Sequence, residues 1–387
     1  VKSRSVAIAA GIFLIATCLR APFTCVPPVV KLVQSELGLS SVQAGLLTTL
    51  PLVAFGLLSP VVPLLARKHG LERALFVALI TIFAGIALRT VGPVGAVFVG
   101  TGILGAGIAV GNVLLPSLIR RDFPAHVTAM TASFALTMGV ASAFGSALAI
   151  PLARSSASGW RFSTGVTLVL PIVAGIVWSL QLGRRTLPAA TAGAAANGVP
   201  IWKSAIAWQV TFFLGLNSFV YYAGVAWLPA ILRDGGASAE HAGSLHGVLQ
   251  LGTAIPGLLL VPLLRWARNH SVVAAVSALM TAVSLVGLLY APGLAGPWAL
   301  LFGLGTGTSI ILGLSFVGLR TSSTRESAAL SAMAQCVGYL LASVGPTLLG
   351  GMHDATGGWR LPLGLCALLA IFMSVAGALA GRPRTVS

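Results

Sequence analysis

The chain has 387 residues, of which 57% are hydrophobic and only 8% charged, with 46 glycines. A soluble domain carries about a quarter charged residues, so this balance excludes a water-soluble globule and points to an all-α protein that crosses a membrane many times. The formal net charge of +16 does not indicate nucleic acid, because the basic residues come in small groups between apolar runs rather than on one clustered face.

Apolar runs of about 20 residues cross a bilayer as helices. Twelve such spans follow one another here: 6–33, 40–65, 73–89, 95–119, 127–153, 162–181, 204–232, 240–264, 271–290, 296–319, 327–352 and 361–380. The first reads as a membrane span rather than a removed signal, since no small-residue cleavage site followed by a soluble stretch ends it.

That first span contains "ATCLRAPFTCVPPVV", with Arg20 and three prolines, Pro22, Pro27 and Pro28. At 1.5 Å per residue Arg20 lies about 21 Å into the span. A cation at that depth costs at least ~2.5–3.5 kcal/mol unless it faces a cavity or a partner. All 7 acids (Glu36, Glu72, Asp122, Asp234, Glu240, Glu326 and Asp354) fall in the links or, for Glu240, at the very end of a span, so no carboxylate deep inside a span is available to neutralise it. Arg20 therefore reads as a clamp for an anion or polar group, against the plainer role of bonding helix-end carbonyls. Thr17 and Thr24 lie on its face by helical spacing. The prolines are expected to bend the outer half of the span, with neighbouring helices or cavity water satisfying the freed carbonyls.

Span 4 holds "GILGAGIAVGNVLLPSL", where Gly102, Gly105, Gly107 and Gly111 allow close helix contact and Asn112 is the polar member. Residues 182–203, "LGRRTLPAATAGAAANGVPIWK", read as a flexible cytoplasmic linker between six-helix bundles at 1–181 and 204–387. Span 7 carries Asn217 and Tyr221 on one face, with Tyr222 pointing about 100° away, and Trp227 with Pro229 near its outer end as a belt or gate element. Span 8 carries His246 and Gln250, and span 11 carries Gln335 and Tyr339, both i, i+4 pairs. His246 is the main intramembrane group able to titrate near neutral pH. Cys18, Cys25, Cys336 and Cys366 have no metal or CxxC spacing and read as small buried hydrophobes.

Lys and Arg concentrate in alternate links, and with the N-terminus inside only Lys31, Arg89, Arg154, Arg161, Arg233 and Arg360 fall outside; both termini are expected in the cytoplasm. The halves also repeat at an offset of about 200 residues: "GLSSVQAGLL" with "GASAEHAGSL", "PLLARKHG" with "PLLRWARNH", Arg120 with Arg320, and "SGWR" with "GGWR". Parallel repeats of this kind place a midplane site between two bundles.

This layout resembles the major facilitator superfamily along the whole chain. More narrowly, "CLRAPFTCVPPV", "LLTTLPLVAFGLLSP", "VLLPSLIRRDFP", "AWLPAIL" and "MAQCVGYLLASVGPTLLG" resemble its cyanate/2-nitroimidazole permease branch. The superfamily's span 2–3 loop begins with an aspartate, whereas this chain reads "ARKHGLER", so any ion pair of that loop would use Glu72. The resemblance implies a cavity walled by spans 1, 4, 7 and 10 and flanked by 2, 5, 8 and 11, and the candidate residues Arg20, Asn112, Asn217, Tyr221, His246, Gln250, Gln335 and Tyr339 fall on those spans.

The chain shows no Walker loop, no metal-ligand cluster and no dinucleotide fold around "GILGAG", so neither an enzyme nor a cofactor is expected. The expectation is a monomeric secondary transporter in the bacterial inner membrane. Its partners are the lipid bilayer and a small anion or compact polar heterocycle, with uptake as the expected direction. The competing readings are a proton-coupled drug exporter, which generally needs a membrane carboxylate, and a sensor that does not transport.

Overall fold

A computed structural model describes residues 2–183, 201–266, 269–322 and 324–385. Most of the linker predicted at 182–203 therefore lies outside the described residues. The described residues are helical, without strands, as the apolar runs require: in hydrocarbon each segment must satisfy its own backbone groups. The helices are α1 (Lys2–Thr24), α2 (Val26–Leu37), α3 (Ser41–Leu58), α4 (Val62–His69), α5 (Leu71–Val91), α6 (Val94–Asp122), α7 (Val127–Arg154), α8 (Gly159–Gly165), α9 (Val169–Ser179), α10 (Ala205–Asp234), α11 (Ala239–Trp266), α12 (His270–Tyr290), α13 (Ala295–Leu319), α14 (Thr324–Thr356) and α15 (Arg360–Ala380). Among the described residues 11 stretches are long and apolar enough to cross a membrane. The remaining predicted span is occupied by the 28-residue α11.

Three predicted spans are interrupted, each for a local reason. Span 1 divides at Cys25 into α1 and α2, because Pro27 and Pro28 supply no N–H to the turn before them. Span 2 stops at Leu58, and α4 then leads to Gly70, whose φ of +90° turns the chain into α5. Span 6 is built from α8 and α9 joined by a single tight turn.

Packing is close where side chains are absent. A Cβ on Gly105 would sit 2.5 Å from the Pro51 backbone of α3, one on Gly107 2.7 Å from Ile82 of α5, and one on Gly111 2.5 Å from Leu19 of α1. Gly102 meets nothing within 4 Å, so it has no part in that seam. Large apolar residues such as Leu57, Phe144, Ile176 and Phe372 remain exposed, on the surface that lipid would cover.

The start of α1 and the end of α15 lie at one face of the bundle. Trp178, near the end of α9, meets Gly11 of α1 and donates to the Glu72 carbonyl at the start of α5, while Arg320 at the end of α13 bonds the Ala380 and Gly381 carbonyls at the end of α15. The opposite, loop face carries the links between halves. Lys31 of α2 pairs with Asp234 of α10, Arg154 of α7 pairs with Glu240 of α11, and the Ser41 amide of α3 donates to Asp354 of α14 at 3.0 Å. From there α3 runs against α14 and α7 against α11, with Thr49 Oγ1 donating to the Ser343 carbonyl at 2.7 Å and Ala254 seated against Gly139, where a Cβ would lie 2.3 Å from its own.

Several link arginines do more than face a membrane surface. Arg89, placed by the charge count in an outer link, is 2% exposed, and its Nη1 donates at 2.9 Å to the Pro22 carbonyl. The bend in span 1 thus has a protein donor beside it. Arg320 is also buried and satisfies the last carbonyls of α15, the groups any helix end leaves without an internal partner.

Candidate functional site

Arg20 sits on α1 five residues before the break at Cys25, part-buried, where α1, α10 and α14 converge. Its guanidinium lies near the phenols of Tyr221, Tyr222 and Tyr339. No carboxylate pairs with it among the described residues. The cation belongs to the first half and all three phenols to the second, so the cluster lies across the junction of the halves.

The aromatic rings hold one another in place. Tyr222 packs edge-on against Phe23 at 6.0 Å and against Tyr221 at 5.0 Å, and Tyr339 packs edge-on against Phe55 of α3 at 5.5 Å. Tyr222 was the residue sequence reasoning pointed away from the site. Two adjacent residues on one helix do diverge by about 100°, but α10 is packed by α2, α11 and α14 around its circumference, so both directions meet protein. The signal available in the sequence was the Tyr-Tyr pair itself, beside an arginine with no acid.

Behind Tyr221 lies a line of buried polar groups. Tyr221 donates to Gln250 Oε1 at 2.9 Å, Gln250 Nε2 is 3.3 Å from His246 Nε2, and His246 Nδ1 is 2.9 Å from Ser146 Oγ of α7. His246 is 0% and Gln250 1% exposed, so they form the wall behind the site rather than its open surface. Ser146 was not singled out from the sequence, where it is one small residue among many on span 5.

The other predicted residues are dispersed. Asn112 is part-buried on α6 with no hydrogen-bond partner among the described residues. Asn217 is buried one turn from Tyr221 with its Oδ1 unpaired. Gln335 donates to Ser331 within α14. Thr24 turns its hydroxyl to the carbonyls of Arg20 and Ser142, fastening α1 to α7 instead of extending Arg20's face. Trp227 is no interfacial belt residue: it is 2% exposed and donates to the Pro346 carbonyl of α14 at 2.7 Å. It lines a cavity of about 560 Å³ at the loop face together with Lys31, Asp234, His353 and Trp359.

At the terminal face, Glu72 pairs with Arg121 at 3.0 Å while Arg121 also engages Asp122. The span 2–3 link thus keeps an ion pair through Glu72, in place of the aspartate it lacks.

Eleven apolar, membrane-length stretches among the described residues and the 28-residue α11, in two halves related in sequence, with a cationic and phenolic cluster between them, define a polytopic membrane protein. The chain belongs to the Major Facilitator Superfamily, whose pattern matches residues 12–346. It is 48% identical over 385 residues to the 2-nitroimidazole transporter of Escherichia coli (strain K12), covering 100% of this chain and 98% of that one. It is 26% identical to the cyanate transport protein of the same organism, covering 94% of each. Among solved structures, a D-xylose-proton symporter superposes with a TM-score of 0.79 over 96% of both chains at 14% identity, which establishes the shared fold.

Proposed function

We propose that this transporter carries a small anion or compact polar heterocycle, cyanate- or nitroimidazole-like, across the bacterial inner membrane by alternating access about the Arg20 cluster. The observation that carries the reading is Arg20 itself: a cation deep in a span, with no carboxylate partner among the described residues, facing three phenols of the other half. A guanidinium only donates, and a phenol O–H donates readily. A solute rich in acceptor oxygens or nitrogens collects hydrogen bonds from α1 on one side and from α10 and α14 on the other. Binding then draws on both halves at once, as rocking about a central site requires.

In this reading the loop face is the closed end, held by the Lys31–Asp234, Arg154–Glu240 and Ser41–Asp354 links. The charge bias of the links supports termini in the cytoplasm, with 182–203 as the connector between bundles 1–181 and 204–387, and one copy is sufficient. The relatives named for 2-nitroimidazole and cyanate support a small, planar or linear, acceptor-bearing solute. The test is uptake of labelled 2-nitroimidazole and cyanate into liposomes holding the purified chain, with and without a pH gradient. Arg20→Ala is expected to abolish uptake; unchanged uptake by that variant refutes the site, and a rate indifferent to the gradient excludes proton coupling.

A further inference from the structure

The hydrogen bonds behind Tyr221 have a direction, and it is set where Ser146 meets two backbone carbonyls. Pro28 has no N–H, so the Thr24 carbonyl four residues before it lacks its helical donor. Ser146 Oγ has two carbonyls to donate to, that one at 3.1 Å and the Ser142 carbonyl one turn back on α7 at 2.9 Å. A serine hydroxyl has one proton. Once it is committed, the Ser146 oxygen accepts, and the 2.9 Å contact with His246 is a ring Nδ1–H donating to it. Neutral imidazole protonated on Nδ1 leaves Nε2 bare, where it accepts from Gln250 Nε2 at 3.3 Å. The amide oxygen of Gln250 then faces Tyr221 and takes its phenol proton at 2.9 Å. Thr253, also beside the Tyr221 hydroxyl, has given its own proton to the Gln250 carbonyl at 2.7 Å, so it too only accepts. Tyr221 is left presenting lone pairs to the pocket.

The rest of the pocket has the opposite character. Arg20 only donates, and Tyr222 beside it has a phenol proton to give to a ligand. We propose that Tyr221 is a specificity-determining residue: the fixed acceptor in a pocket of donors, selecting a planar azole that carries a ring N–H beside an acceptor group turned toward Arg20. Gln250, His246 and Ser146 are positioning residues that hold Tyr221 in this role. The Val225 carbonyl, deprived of its donor by Pro229, also faces the His246 ring. A ring proton on Nε2 would run the line the other way and would take the Ser146 proton from both the Thr24 and the Ser142 carbonyls.

The inference rests on the reading of Arg20 as the solute site. It is tested by calorimetric binding of 2-nitroimidazole and two methyl derivatives of equal mass to the full chain in detergent, at a pH where the azoles are neutral. One derivative is methylated on the ring nitrogen, the other on a ring carbon. The carbon-methylated compound is expected to bind near the parent, and the N-methyl compound about tenfold more weakly, the effect of leaving a buried acceptor unpaired. Tyr221→Phe and His246→Leu are expected to bring the ratio of the two affinities to about one, whereas a merely structural defect weakens both compounds alike. Equal binding of the isomers by the wild type, preference for the N-methyl compound, or a ratio unchanged in both variants overturns the inference alone. No binding of any of the three by the wild type overturns it together with the Arg20 reading.

Discussion

The two halves are related at an offset of about 200 residues, yet they use their matching residues differently. In the first half Trp160 donates to Glu36 at 2.6 Å and Arg161 pairs with the same carboxylate, so the acid stays within its own bundle. In the second half Trp359 donates to Asp234 at 2.8 Å in the same way, but Arg360 is exposed and the carboxylate reaches across to Lys31. The repeat preserves the tryptophan-to-acid bond that ties the end of the first span of each half to the start of the sixth. What has diverged is the second partner of the acid, and that divergence turns a bundle fastener into a link between bundles. The site shows the same asymmetry: the first half supplies the cation, the second supplies phenols, amide and imidazole. A ligand bound by one half alone would give no reason for the halves to move together. A ligand whose donors are divided between them does.

The largest effect expected from this asymmetry is at Arg20. Arg20→Ala should reduce solute binding at least ~100-fold, as removal of a buried charged donor does, while Ser218→Ala, at the related position of α10, should leave uptake near wild type. Comparable losses from both would mean that the halves share the solute evenly. Next is the bend of span 1. Arg89→Gln should lower unfolding stability in detergent by roughly 2 kcal/mol, because the Pro22 carbonyl loses a charged donor inside the protein. An unchanged midpoint would mean that the bend holds without it.

A smaller effect belongs to Tyr222→Phe, which should weaken solute binding by about tenfold, or ~1.4 kcal/mol, through loss of one hydroxyl. Full affinity in that variant would reduce Tyr222 to a packing residue. The smallest concerns the diverged acids. Lys31→Ala should raise labelling of a cysteine placed on the loop face by about threefold, since a part-exposed pair contributes ~0.5–1 kcal/mol. Glu36→Gln should lower stability without changing that labelling. If both variants open the loop face equally, the contrast between the acids fails.

The parts of the fold legible in the sequence are those governed by one segment at a time. Length and apolar content place the spans, since lipid tolerates only backbone that satisfies itself. Arg20 stood out because no acid occurs deep within any predicted span, a fact that needs no neighbour to be known. The four residues Tyr221, His246, Gln250 and Tyr339 were reached by helical spacing on spans expected to line a cavity, and they do gather near Arg20 or directly behind it. Asn112, Asn217 and Gln335 satisfied the same criterion and stand apart, because spacing places a residue on a face without saying what that face meets.

Tertiary structure alone decided three matters. Arg89 reads as a surface charge in the sequence and is buried against a carbonyl exposed by a proline break in another span. Tyr222 points away from Tyr221 on an isolated helix and reaches the same arginine once α10 is enclosed. Ser146, inconspicuous on span 5, directs the proton of a histidine a hundred residues later, and through it the character of Tyr221. By itself the sequence determined an all-helical transporter of two related halves with one cation it could not place at a membrane surface. Which groups answer that cation, and which of them donate or accept, depends on how helices from different halves pack, because a hydrogen bond is directional over about 3 Å and its partners lie on different segments.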